Sequence, residues 1–192
     1  MNTKTDNCFI IGGGPSINDV NFDLIKDEYI IAVNEAFRLG TFSNIWYFSD
    51  SDIFKNHRKE IDAWPNRVVS CAGVAKHHKK IEYYERCRQH TICFEPGKLA
   101  FPSRGANSGA TAVNLAIREG FERIILLGYD MQQVNGKYNY HDYYKKAPRP
   151  DIYERFLEVF IKIAAEATVE IINATPNSAL HCFPKVALED LL

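Results

Sequence analysis

Several loops in this 192-residue chain carry residue types that could do chemistry. Gly12-Gly13-Gly14-Pro15-Ser16 directly follows an apolar run at 8–11. Three consecutive glycines let the backbone reach left-handed φ and let a ligand come close. Ser16 followed by Asp19 reads as a capping box, which sets a helix N-terminus beside the glycines. Amide donors and the helix dipole at such a place favour a phosphate or another anion. The spacing is neither the dinucleotide fingerprint, which Pro15 and Ser16 interrupt, nor a phosphate-binding loop ending in Gly-Lys-Ser/Thr. Asn34, in AVNEAF, pairs with a base or ribose or else caps a helix, and Asp50, in YFSD, binds a metal or ribose or else caps the next helix. A second small-residue entrance, SRGANSG, places Asn107, Ser108 and Gly109 at the start of another helix. Asp130 in Gly128-Tyr129-Asp130 stands at the tip of a strand, well placed to organise a site.

The stretch 131–150 (MQQVNGKYNYHDYYKKAPRP) is polar, rich in tyrosine and without helix or strand periodicity. A loop of about twenty residues is long for a compact domain and reads as a lid or active-site loop. Its tyrosines, Tyr138, Tyr140, Tyr143 and Tyr144, favour a lid that orders on a ligand or against a second copy of the chain. His141 is its acid/base candidate, because imidazole titrates near neutral pH. Residues 76–90 hold five Lys/Arg, two Glu and three His, which reads as a solvated helix face or a patch for an anionic partner.

The elements that must hold these loops are legible as apolar runs at 8–11, 29–33, 45–48, 124–127 and 169–172, with weaker ones at 67–71 and 91–94. Helical patterns fill the gaps, most clearly at 107–119, which stops at Gly120, and at 151–167, with Pro150 at its start. Near-continuous apolar strands mean burial on both faces, hence a mostly parallel sheet wrapped by helices. The expected fold is a single Rossmann-like α/β domain over 1–192, with ligands bound at the carboxyl ends of the strands.

Composition is consistent with this. Apolar residues make up 46% of the chain, enough for one core, and the net charge of −1 gives no reason to expect bulk binding to nucleic acid or membrane. No apolar run reaches the roughly 18 residues that span a bilayer. The start of the chain lacks a secretory layout, and its five scattered cysteines form no CxxC pair, so reduced thiols in a cytoplasmic protein are expected.

Three blocks in order resemble one family. IIGGGPSINDV with AVNEAF, NSGATAVNLAIREGFERIILLGYDM and INATPNSALHCFPKVALEDLL are similar to the three blocks of the bacterial sialyltransferases of the Campylobacter type. The first two blocks are also similar to a wider group that includes MptE-like 6-hydroxymethylpterin diphosphokinases and flagellin-glycosylation proteins. The sialyltransferase resemblance implies a GT-A-like domain that takes a cytidine-monophosphate sugar without requiring a metal or other cofactor. It implies that Gly13, Gly14 and Asn34 contact the nucleotide, that Asn107 and Ser108 meet the donor, and that Ser178 closes the nucleotide side. It gives Tyr138 the leaving phosphate and His141 the acceptor proton in an inverting displacement. Gln132 stands where the family has a further phosphate-binding tyrosine, Gly13 where its members have Asn, and the lid is shorter. The MptE-like resemblance implies instead a pyrophosphate transfer from ATP with Mg²⁺ on Asp50 or Asp130. A nucleotide-binding module without catalysis is the third reading.

Overall fold

The computed structural model describes residues 7–144, 149 and 151–192. Seven strands form one parallel sheet: β1 (Asn7–Ile11), β2 (Tyr29–Val33), β3 (Ile45–Phe48), β4 (Arg67–Ser70), β5 (Ile81–Tyr83), β8 (Arg123–Leu127) and β9 (Glu170–Asn173). Their order is β5-β4-β3-β2-β1-β8-β9. The chain therefore winds outward from β1 to one edge and then crosses back to β8 and β9 on the other side. The direction of winding reverses between β1 and β8, which is where an open α/β sheet leaves a crevice at its carboxyl ends.

Alternation within the strands explains their apolar runs. Cys8 and Ile10 of β1, with Ile124 and Leu126 of β8, pack under the helices α3 (Ser108–Arg118) and α4 (Ile152–Glu166). Phe9, Ile11, Ile125 and Leu127 point to the other face, against Ile17, Ile25 and Leu188. On β3, Trp46 and Phe48 meet α1 (Ser51–Asn56) and α2 (Arg58–Ala63) through Phe54 and Ile61. With both faces covered, no polar position interrupts the interior of β1, β3 or β8. None of the helices among the described residues is long and apolar enough to cross a membrane.

Several expectations need correction. The β1–β2 and β2–β3 connections hold 3-10 turns, at Pro15–Asp19, Phe22–Leu24 and Asn34–Leu39, rather than α-helices. Ser16 lies inside the first of these turns, and Gly14, at its N-cap, makes no side-chain cap. The capping box does not form because the Ser16 hydroxyl is drawn to Asp130 instead. The charged run 76–90 is no helix: Ile81 and Tyr83 pair with β4, and β6 (Glu85–Cys87) pairs in parallel with β7 (Lys98–Ala100). Buried Ile81 and Cys87 outweigh their charged neighbours there. Residues 91–94 form no strand, and Pro150 lies outside the described residues.

Candidate functional site

A cavity of about 330 Å³ opens at the β1/β8 reversal. Its inner wall is made by the strand ends: Gly12, Gly13 and Gly14 after β1, Asn34 after β2, Ser49 and Asp50 after β3, and Gly128 to Asp130 after β8. Asn107, Ser108 and Gly109 at the α3 N-terminus close one side, while Tyr138, Asn139, His141 and Tyr144 supply an outer wall. Ile152, Tyr153 and Phe156 from the first turns of α4 complete it.

The glycine loop works by close approach and not by backbone freedom, since none of its three residues has a left-handed φ. A Cβ on Gly12 would stand 2.8 Å from the Gly128 carbonyl oxygen, and one on Gly14 would stand 1.8 Å from Asp130 Oδ2. The loop amides are also largely spent. Gly12 donates to Leu127 O at 2.8 Å and Gly14 to Gly128 O at 2.9 Å. Asp130, 2% exposed, accepts from the Ser16 amide at 3.3 Å through Oδ1 and from the Ser16 hydroxyl at 2.8 Å through Oδ2. Burial raises the Asp130 pKa, and the two Ser16 bonds offset part of that. Asp130 thus fastens β8 to the turn after β1. Gly13 keeps space over its Cα, where an added Cβ meets nothing among the described residues nearer than Asn139 Oδ1 at 3.6 Å.

The α3 end differs. Asn107 Oδ1 accepts from the Ala110 amide at 2.8 Å, a side-chain cap. The remaining orphan amides of the first turn, on Ser108 and Gly109, lie at the cavity wall. Eleven residues of helix stand behind them, against five in the 3-10 turn after β1. The anion-favouring terminus of this cavity is therefore that of α3.

Asn34 takes a left-handed φ of 52° and holds it because its carbonyl accepts from Trp46 Nε1 at 2.9 Å. Its Nδ2 donates to Asp50 Oδ2 at 3.3 Å, and its buried Oδ1 has no hydrogen-bond partner among the described residues. It caps no helix, and neither does the Asp50 side chain, although Asp50 occupies the N-cap position of α1. Asp50 is accessible from the cavity but hemmed in by protein, and this desolvation raises its pKa against the pull of Arg86, Ser108 and Asn34. Glu35 is fully engaged, by His57 Nε2 at 2.8 Å and Arg38 Nε at 2.7 Å.

The outer wall hangs on Tyr140. Its amide donates to Gly13 O at 3.0 Å, and its hydroxyl donates to Glu35 O at 2.6 Å. An Asn135-Gly136 turn, with φ of 52° and 75°, reverses the chain just before it. Together they place Tyr138 beside Tyr153, with ring centroids 6.3 Å apart, and seat His141 against Tyr144 at 4.8 Å. Burial lowers the His141 pKa below its usual value, and the Arg38 charge adds to that while Glu35 opposes it. His141 Nδ1 accepts from the Tyr143 amide at 3.2 Å, so the neutral ring carries its proton on Nε2. Burial also raises the phenols: Tyr153 is pushed up to about 12, and Tyr144 rises as well, with Asp50 and Glu35 adding to the effect. These hydroxyls remain donors at any physiological pH.

Of the residues singled out in the sequence, Gly12, Gly13, Gly14, Asn34, Asn107, Ser108, Gly109, Asp130, Tyr138 and His141 share this cavity. Pro15, Ser16 and Ser178 do not line it. Ser178 is buried, its hydroxyl donating to Tyr129 O at 2.6 Å and accepting from the Leu180 amide at 3.0 Å, and so ties the C-terminal segment to the end of β8. Tyr153 and Phe156 escaped notice because the periodicity of α4 marks them only as a helix face. The Asn-Gly pair was the readable signal for the turn that aims the lid.

No protein-family profile and no curated protein sequence matches the chain. Solved structures do. The sialyltransferase CstII from Campylobacter jejuni, determined with cytidine-5'-monophosphate, superposes with a TM-score of 0.62 at 15% identity, over 96% of this chain and 86% of that one. The fold is that of the Campylobacter sialyltransferases. The monofunctional α-2,3-sialyltransferase Cst-I from Campylobacter jejuni gives a TM-score of 0.65 at 13% identity, over 96% of this chain and 82% of that one. CstII bound to a trisaccharide acceptor and CMP gives 0.61 at 16%, over 94% and 86%.

Proposed function

We propose that the chain is a glycosyltransferase that takes a nucleotide-activated sugar, with CMP as the favoured carrier, and passes the sugar to an acceptor hydroxyl with inversion. The observation that carries this reading is the convergence of His141, Tyr138, Asn34 and the α3 N-terminus on one cavity at the sheet reversal. A fold shared with proteins that hold CMP and a trisaccharide acceptor supports it. Asn34, whose buried Oδ1 is unpaired among the described residues, suits an amino or hydroxyl donor of the nucleoside. The Ser108 and Gly109 amides, with the phenol hydroxyls of Tyr138 and Tyr153, suit a phosphate whose charge grows as the glycosidic bond breaks.

His141 is the base for the acceptor hydroxyl. In the present loop conformation its free nitrogen, Nε2, bears the proton. Base work at Nε2 therefore requires the Tyr143 contact to release and the tautomer to switch when substrate seats the lid. Asp130 enters this reading as a positioning residue, since both its oxygens are held by Ser16.

The Mg²⁺-dependent diphosphokinase reading has less to stand on. Three carboxylates line the cavity, and Glu35 and Asp130 have both oxygens engaged, which leaves Asp50 as the accessible one among the described residues. The test is a binding titration of cytidine, uridine and adenine nucleotides with and without Mg²⁺. Metal-independent binding of a pyrimidine nucleotide is expected, and binding of ATP alone, only with Mg²⁺, would overturn the transferase reading.

A further inference from the structure

We propose that the connection between β6 and β7 is a zinc site built from Cys87, His90 and Glu95. Ligand atoms of these three residues all lie within 4.8 Å of one another, and Cys87 Sγ stands 3.7 Å from Glu95 Oε1. Tetrahedral zinc, with Zn–S of roughly 2.3 Å and Zn–N or Zn–O of about 2.1 Å, sets ligand atoms about 3.4–3.7 Å apart. The Cys87–Glu95 separation already meets that span, and the group as a whole needs a contraction of about 1 Å to reach it. Thiolate, imidazole and carboxylate together form a donor set that suits borderline-soft zinc and is poor for magnesium or calcium.

The local architecture gives the ion a purpose. Parallel strands usually need a crossover of a dozen or more residues, commonly a helix. Here β6 and β7 pair in parallel across only residues 88–97, which contain no helix or strand. The middle of the loop is held by Thr91, whose hydroxyl donates to Glu166, and by its backbone: Asn114 Nδ2 and Arg118 Nη1 donate to Cys93 O, and Arg118 Nη1 also donates to Glu95 O at 3.0 Å. Cys87 anchors one end inside a small cluster with Cys93 and Ala100, while His90 and Glu95 come from the exposed turn. An ion across the three would close the loop on its exposed side. None of the three residues lines the nucleotide cavity, so the site is independent of the transferase reading.

On binding, the Cys87 thiol loses its proton to solvent as the S–Zn bond forms, and Glu95 exchanges its ion pair with Lys98 for the metal. Water takes the fourth position. The test is cobalt(II), then zinc(II), titrated into the reduced full-length chain. A sulfur-to-cobalt charge-transfer band in the near ultraviolet, tetrahedral visible bands and one ion per chain are expected, and zinc should then bleach the bands. C87S and H90A should each weaken zinc binding by more than about 100-fold and abolish the band, with circular dichroism unchanged. C182S serves as the control at the partly exposed thiol and should keep both. No charge-transfer band in the wild type, or a band that survives C87S and vanishes in C182S, would overturn the site. Should C87S misfold, H90A alone decides: an unchanged zinc affinity refutes the proposal.

Discussion

The two walls of the cavity are built by opposite means. The inner wall consists of backbone at strand ends, where Gly12 and Gly14 touch β8 and Asp130 is locked to Ser16. It cannot move without opening the sheet. The outer wall is a segment with no helix or strand over its described part, tied to the inner wall by two hydrogen bonds of Tyr140. The groups that would have to move during a reaction, a histidine and several phenols, all sit on that outer wall. On the proposed reading, rigid recognition of a nucleotide and adjustable chemistry on the sugar fall to different parts of one pocket.

Substitutions can break this division or sharpen it. The largest effect should come from G14A, whose methyl would collide with Asp130 and the Gly128 carbonyl. Both are fixed, so a loss of more than about 3 kcal/mol, or failure to fold, is expected in urea denaturation. Near-wild-type stability would mean that the inner wall yields. H141A should lower turnover by at least about 100-fold while nucleotide affinity and melting temperature stay nearly constant. Turnover that survives removes His141 as the base. The same residue sets a pH test. Its depressed pKa keeps the ring neutral into mildly acidic solution, so kcat/KM should rise with pH to a plateau whose midpoint lies below about 6.5. A midpoint above that value would show that His141 does not govern the acid limb.

Y140F removes the bond to the Glu35 carbonyl and leaves the ring in place. We expect a loss of about 1 kcal/mol, read as faster proteolysis within the lid at an unchanged global transition. Parallel loss of global stability would erase the distinction between the walls. G13A should matter least to stability, within about 0.5 kcal/mol, because its methyl enters open space one residue from the most crowded glycine. Its effect should appear instead in nucleotide affinity.

How much of this was legible depended on local signal. Tyr29–Val33 and Ile45–Phe48 matched their apolar runs because burial on both faces leaves no polar position to blur a boundary. Asn107 was readable as a helix start since capping acts over three residues. Strands β5 to β7 were not, because they are three residues each and β5 and β6 stand in a charged run. The glycine loop was found in the sequence, but its mechanism was not: whether an amide is free to meet a phosphate depends on a partner strand more than a hundred residues away. Ser178 shows the same limit, as its hydroxyl goes to a carbonyl 49 residues distant and not to the pocket.

The sequence alone determined the fold class, the carboxyl-end position of the cavity and many of the residue types that line it. Hydrophobic periodicity, turn residues and caps are local, and they act within a few residues of chain. Only the tertiary structure decided which polar groups remain free. That is settled by pairing across the sheet, where Asp130 spends itself on Ser16 and Gly14 on Gly128, while Asn34 Oδ1 is left without a partner among the described residues.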